Sequence, residues 1–230
     1  MLEAKEMSEI ARGKIFSASA KNNPAISAGM SEREHRSELS HATAQKPLVF
    51  DTFKKEVKSL KDYILLITVD AKSYQKTAVD VVKFLSEQNI PGVYVTLNKP
   101  FEIMQRTLAN NGVDTRLIIF IDVASRTEAK KVENCLYIGS PEKLSDLSVA
   151  MDQAVKALPS DRFIIFDSLN TLSIFNKPAT MARFIHFLTG KMREWKTKGI
   201  IITLEKETEP ALLDELTQFA DVRVDIGGEG

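Results

Sequence analysis

Arg162-Phe-Ile-Ile-Phe-Asp-Ser-Leu-Asn-Thr-Leu172 sets four apolar residues in an unbroken row, Phe163 to Phe166, and closes the row on an acid, Asp167. A strand with one wet face alternates apolar and polar residues. An unbroken row fits a strand covered on both faces, the habit of parallel sheets sandwiched between helices. The same texture recurs in Tyr63-Ile-Leu-Leu-Ile-Thr-Val69, Gly92-Val-Tyr-Val-Thr-Leu97, Arg116-Leu-Ile-Ile-Phe-Ile-Asp-Val123 and Gly199-Ile-Ile-Ile-Thr-Leu-Glu205. A shorter Cys135-Leu-Tyr-Ile138 and a closing Asp221-Val-Arg-Val-Asp-Ile226 complete the set.

Helical patterns separate these rows. Phe50, Phe53, Val57 and Leu60 recur at helical spacing, as do Val79, Val82 and Leu85 within Thr77–Glu87, and Ile103, Met104 and Leu108 within Phe101–Asn110. Ser140 before Pro141 and Glu142 reads as a cap with a first-turn proline, which predicts a helix from there to about Leu158. Met181 to Lys196 forms a long amphipathic stretch, and Pro210 opens a last helix ending near Phe219. Strand and helix alternate, so the pattern predicts an α/β fold: a doubly wound, mostly parallel sheet with helices on both faces.

Residues 1–46 differ in kind. They are rich in Ser, Ala, Asn, Glu and Lys and poor in large apolar residues, too poor to offset an ordering cost of roughly 1–2 kcal/mol per residue. A flexible tail over 1–46 and one α/β domain over 47–230 is the expected organisation. The chain has 230 residues, 43% hydrophobic and 27% charged, which suits that division. Its 31 basic and 31 acidic side chains cancel, and aromatic content is 7%, so a basic groove with stacking platforms for nucleic acid is not expected. No apolar run approaches the roughly 20 residues of a membrane span. The N-terminus carries acids where a secretory leader needs a basic start. One cysteine and three histidines exclude an intramolecular disulfide and a Cys-based zinc cage, and a cytoplasmic location is expected.

In open α/β sheets ligands bind at the carboxyl ends of the strands, so the residues there are the candidates. The first strand runs into Asp70-Ala-Lys-Ser-Tyr-Gln-Lys-Thr77. Lys76 and Thr77 match the last two positions of the phosphate-cradling pattern G-x-x-x-x-G-K-[ST], while Asp70 and Gln75 stand in place of its glycines. Those glycines let backbone N–H groups wrap a phosphate, and an aspartate adds negative charge beside a polyanion. Lys76 and Thr77 also read simply as first-turn residues of a surface helix. Asp167 with Ser168 ends the Phe163–Phe166 row as a magnesium-coordinating strand end does, or as a turn cap does. After the second strand, where a general base is expected, stand Leu97 and Asn98. Glu102, Asp122 and Glu205 are the other acids near strand ends; Glu102 suits the first turn of its helix, and Asp122 and Glu205 are expected to face the crevice or solvent. Cys135 reads as a core residue and His186 as a helix-surface histidine.

Taken together, Arg162–Leu172, Gly199–Glu205 and Phe219-Ala-Asp-Val-Arg-Val-Asp225 resemble, in order and spacing, the core of the RecA/KaiC-type P-loop ATPases, over roughly residues 48 to 228. The resemblance is to archaeal-type members without an intact Walker A loop. It implies that Lys76, Thr77 and Asp167, with Lys72 and Ser168 beside them, inherit the nucleotide positions, and that Thr77 and Asp167 would hold magnesium. It implies ATP and magnesium as cofactors, although the missing glycines leave neither assigned. The expectation is a KaiC-like pseudo-ATPase, a regulatory or scaffold protein working through a protein partner or a homo-oligomer. The alternative is a weak ATP-binding protein or ATPase in which Lys72 or Lys76 holds phosphate and Glu102, Asp122 or Glu205 serves as base.

Overall fold

The computed structural model describes residues 54, 55, 57, 60–125 and 132–227. The expected tail over 1–46 lies outside them, as does most of the Phe50–Leu60 helix; residues 54, 55 and 57 are helical and Val57 is buried.

Seven strands alternate with helices: β1 (Tyr63–Val69), α1 (Tyr74–Ser86), β2 (Gly92–Thr96), α2 (Phe101–Asn110), β3 (Ile118–Asp122), β4 (Cys135–Tyr137), α3 (Leu144–Lys156), β5 (Phe163–Asp167), α4 (Asn170–Phe175), α5 (Pro178–Glu194), β6 (Lys198–Leu204), α6 (Pro210–Phe219) and β7 (Val222–Ile226). They form one sheet in the order β4-β3-β2-β5-β6-β1-β7, and every neighbouring pair is parallel. The mostly parallel expectation thus becomes a wholly parallel sheet. From β1 the chain steps over two places to β2, winds outward to β3 and β4, then returns to fill β5 and β6 and ends at β7 on the other edge. Right-handed crossovers running in opposite directions along a sheet put their helices on opposite faces. Accordingly α1 and α2 pack on one face, against Leu65, Ile67, Tyr94 and Phe120, and α3, α5 and α6 on the other, against Ile64, Leu66, Val95 and Phe166.

β1, β2, β3 and β5 are buried along their whole length, as the apolar rows require. The register sets Gly92 opposite Phe163, and a Cβ at Gly92 would lie 2.2 Å from the Phe163 ring. Glycine at the head of β2 is therefore what admits that ring between the strands.

Three helices differ in their bounds from the sequence pattern. The helix expected from Ser140 starts at Leu144 instead. The Lys143 N–H donates to the Ser140 carbonyl at 3.2 Å, closing a turn with Pro141 at its second position, a place proline suits as well as a helix start. Helix α5 begins at Pro178, ahead of Met181, and stops at Glu194 because Lys196 turns into the left-handed region at φ 50°. α1 opens at Tyr74, three residues before Thr77. Helix α4 has no apolar period to betray it in the sequence. Among the described residues no helix is long and apolar enough to cross a membrane.

Candidate functional site

The carboxyl ends of β2 and β5 lie side by side where the chain reverses its winding, the usual ligand crevice of such sheets, and the start of α1, which follows β1 on the far side of β6, reaches them through Tyr74. Asp167 ends β5 there and is almost fully buried. Both of its carboxylate oxygens accept hydrogen bonds from tyrosines: the Tyr74 hydroxyl donates to Oδ1 and the Tyr94 hydroxyl to Oδ2. Tyr94 projects from the middle of β2 and Tyr74 from the first turn of α1. A tyrosine inside a wholly buried strand needs a partner for its hydroxyl, and Asp167 is that partner.

Around this core the polar side chains close on one another. Asn98, just past β2, donates from Nδ2 to the Ser168 hydroxyl at 2.7 Å and to the Tyr74 oxygen at 3.1 Å, and its Oδ1 accepts from the Thr171 hydroxyl. Next along the chain, Lys99 Nζ donates to Gln75 Oε1 at 2.7 Å, tying the end of β2 to α1. The Asp167–Ser168 peptide is cis. Burial pushes the Asp167 carboxyl above the usual carboxylate range, against the two tyrosine bonds and the more distant Lys99 charge, which pull it down. Burial and the Asp167 charge together hold both tyrosine hydroxyls un-ionised, well above their ordinary value.

The segment between β1 and α1 is short. Asp70 Oδ1 accepts the Ser73 N–H at 2.7 Å, the Asp70 carbonyl accepts the Tyr74 N–H at 3.0 Å, and the Ser73 carbonyl accepts the Thr77 N–H at 2.9 Å. The bond from Ser73, first among its causes, holds the Asp70 carboxyl below the usual carboxylate range. The candidate residues of this segment part company. Lys72 is exposed; Lys76 points outward, 70% exposed, and pairs with Asp80 one helical turn on; Thr77 lies on the buried face of α1. Only Asp167 and Ser168, of the five nucleotide positions, come together in the polar cluster.

The acids expected at neighbouring strand ends also separate. Asp122 lies level with Asp167 in the register, with Thr96 between them, so two strand spacings of about 4.8 Å divide them. It is wholly buried and serves as a cap: Oδ2 accepts the Phe101 N–H at 2.8 Å and the Ser125 hydroxyl at 2.7 Å, and Oδ1 the Ser125 N–H at 2.9 Å. Glu102 is exposed in the first turn of α2. Glu205 is exposed in a short turn after β6. Cys135 is a buried residue at the start of β4, and His186 is exposed with its ring edge-on to Phe219 at 5.3 Å. Among the described residues no group of three or more His, Cys, Asp or Glu could hold a metal ion.

Residues 76–221 match the model of the protein family described as ATPase: KaiC. The chain belongs to the KaiC ATPase family. In fold, this KaiC-family chain is similar to a KaiC-like protein of the hyperthermophilic archaeon Pyrococcus horikoshii, at TM-score 0.53 and 16% identity over 71% of each chain. It is also similar to a second P. horikoshii protein, at TM-score 0.54 and 14% identity, over 77% of this chain and 88% of that one. No curated protein matches it. Asp167 stands at the end of β5, where the apolar row of the sequence placed it; the tyrosines that meet it, and Asn98 and Thr171 beside them, carried no motif in the sequence. One signal was available: a tyrosine inside a strand expected to be buried, Tyr94, needs a partner for its hydroxyl, though the sequence does not say which.

Proposed function

We propose that this KaiC-family chain is a pseudo-ATPase, a regulatory or scaffold protein that acts through contacts with other proteins and does not hydrolyse nucleotide at the β2–β5 crevice. The observation that carries the reading is the occupation of both Asp167 oxygens by tyrosine hydroxyls. A strand-end aspartate that serves magnesium must offer an oxygen to the ion or its water. Here each oxygen already faces a hydroxyl proton, and a cation there would face the same protons.

Three further features support it. At this helix start the N–H groups of Ser73, Tyr74 and Thr77 are directed to Asp70 and Ser73, and the ionised Asp70 stands where a polyanion's charge would lie. Lys76 is paired with Asp80 at the surface. After β2 the chain offers Leu97 and Asn98 where a general base is needed, a loss that typically removes about 10²–10⁴ in rate. These residues do not fit a magnesium–nucleotide pair, and we assign them no hydrolytic step. Isothermal calorimetry of the full chain with ATP and magnesium tests the reading. No heat of binding is expected. A dissociation constant in the low micromolar range, abolished by Lys76→Ala, would establish instead the competing reading of a weak ATP-binding protein or ATPase.

A further inference from the structure

The two edges of the sheet are built differently. β4 is a strand of only three residues, whereas β7 has five, Val222-Arg-Val-Asp-Ile226, and lies beside β1 alone among the described residues. Short length, lysine and proline keep a sheet edge from pairing with another chain, and β7 has none of them. The hydrogen bonds tell which of its groups stay open. The Tyr63 N–H donates to the Thr197 carbonyl at 3.3 Å, so the odd residues of β1 face β6, and Ile64, Leu66 and Thr68 face β7. At the other end the Asp70 N–H donates to the Ile226 carbonyl at 3.1 Å. Along a strand the backbone groups of successive residues point to opposite sides. Val222, Val224 and Ile226 therefore turn theirs to β1, and Arg223 and Asp225 turn theirs away from the sheet.

The side chains alternate too. Arg223 and Asp225 lie on the α6 face, where Arg223 donates to Thr217 at 3.1 Å and to Asp225 at 2.9 Å, and the Thr68 hydroxyl donates to Asp225. Val222, Val224 and Ile226 lie on the α1 face, Val224 buried and the other two half-buried. Such a strand is complementary to itself. In an antiparallel pairing about Val224, Arg223 of each copy stands opposite Asp225 of the other. Residues so opposed form hydrogen-bonded pairs, which satisfy the outward N–H and C=O of both. Val224 meets Val224 at the axis, and Val222 meets Ile226. Sliding one copy by two residues sets Arg223 against Arg223 or Asp225 against Asp225, so charge selects a single register. At either end Asp221, bridged by Arg193 at 3.0 Å, arrives beside Gly227 and Asp70, and Asp70 has the Lys72 charge next to it, so acids and bases balance there as well. Three strand spacings, about 14 Å, separate the two β1 strands, more than the 8–10 Å between packed helices, which leaves room for the helices that cover each.

We propose that two copies of this chain join their sheets through β7, antiparallel about Val224, with Arg223 and Asp225 paired crosswise between them. The contact is at the sheet edge and stands whether or not the Asp167 crevice binds nucleotide.

Sedimentation of the full chain, loaded at up to about 200 µM to reach transient as well as stable interfaces, tests it. A monomer–dimer equilibrium is expected. R223D or D225R places like charges opposite and should weaken the dimer about ten-fold or more, while R223D/D225R should return it to within about three-fold of the parent. Disulfide formation with diamide reads the register, in a chain also carrying Cys135→Ala. V224C sets two cysteines across the axis with Cα atoms about 4.5 Å apart, which suits the bond, and should cross-link. V222C sets them about 14 Å apart and should not. A monomer at every loading, a dimer indifferent to both single charge reversals, or V222C cross-linking as fast as V224C would overturn the proposal.

Discussion

At Asp167 the surrounding apolar strands and the two tyrosine hydroxyls pull the carboxyl in opposite directions, and burial prevails. A folded-state pKa raised above the unfolded one means that the folded chain holds the proton more tightly, so between the two values stability falls as pH rises. The neutral Asp167→Asn chain lacks this dependence. Its unfolding free energy relative to the parent is expected to rise from about pH 4 upward and to level off above the folded pKa of Asp167, as urea unfolding across a pH series will measure. A parent and variant that track each other at every pH would contradict the assignment of Asp167 as a buried, desolvated acid. The tyrosines make a second prediction. All four in the chain, Tyr63, Tyr74, Tyr94 and Tyr137, have hydroxyls pushed above their ordinary value, with burial the largest cause in each. Raised folded pKa values again mean stability lost as pH climbs past the ordinary tyrosine value of about 10. Absorbance titration should show no tyrosinate near pH 10 in the folded chain, with the signal appearing together with unfolding as pH rises further.

Between elements, the β2–β5 pair is what brings the site together. Its register sets Thr96 beside Asp167, and the Leu97 N–H donates to the Asp167 carbonyl at 2.7 Å, so the ends of the two strands are locked level. At the other end of the same pair Gly92 leaves room for the Phe163 ring. Gly92→Ala forces a methyl into that ring, and overpacking of this kind costs about 1–3 kcal/mol. Thermal unfolding should report the loss, and because the strands are continuous, near-ultraviolet circular dichroism of Tyr94 should change with it. A variant as stable as the parent would mean that the close approach is relieved by movement of Phe163. Asp122 shows the same logic with a different outcome: an acid at the same level, one strand further out, is turned to capping α2 because the Phe101 N–H is the donor within reach.

For the whole molecule, the KaiC-family sheet carries at the end of β5 an aspartate whose two oxygens meet tyrosine hydroxyls, and the proposed pseudo-ATPase reading is tested on the intact fold. A ligand that binds only the folded state adds RT ln(1 + [L]/Kd), about 4.1 kcal/mol at a thousand times Kd. Millimolar ATP with magnesium is therefore expected to leave the unfolding midpoint where it is, and a rise of several degrees would show a working nucleotide site. The strand–helix alternation, the burial of the sheet on both faces and the acid closing β5 were all legible in the residue order. Apolar rows, helical spacing and prolines are local signals, and a parallel sheet follows from them once right-handed crossovers are required. Where local chemistry is ambiguous the boundaries moved, as at Pro141, which serves a turn as readily as a helix start. The pairing inside the crevice had no such trace. Tyr74 and Tyr94 lie 93 and 73 residues from Asp167 in sequence, and which buried hydroxyl meets which carboxylate depends on strand order and register. A hydrogen-bond partner is chosen by neighbours in space, and only the folded sheet decides who those neighbours are.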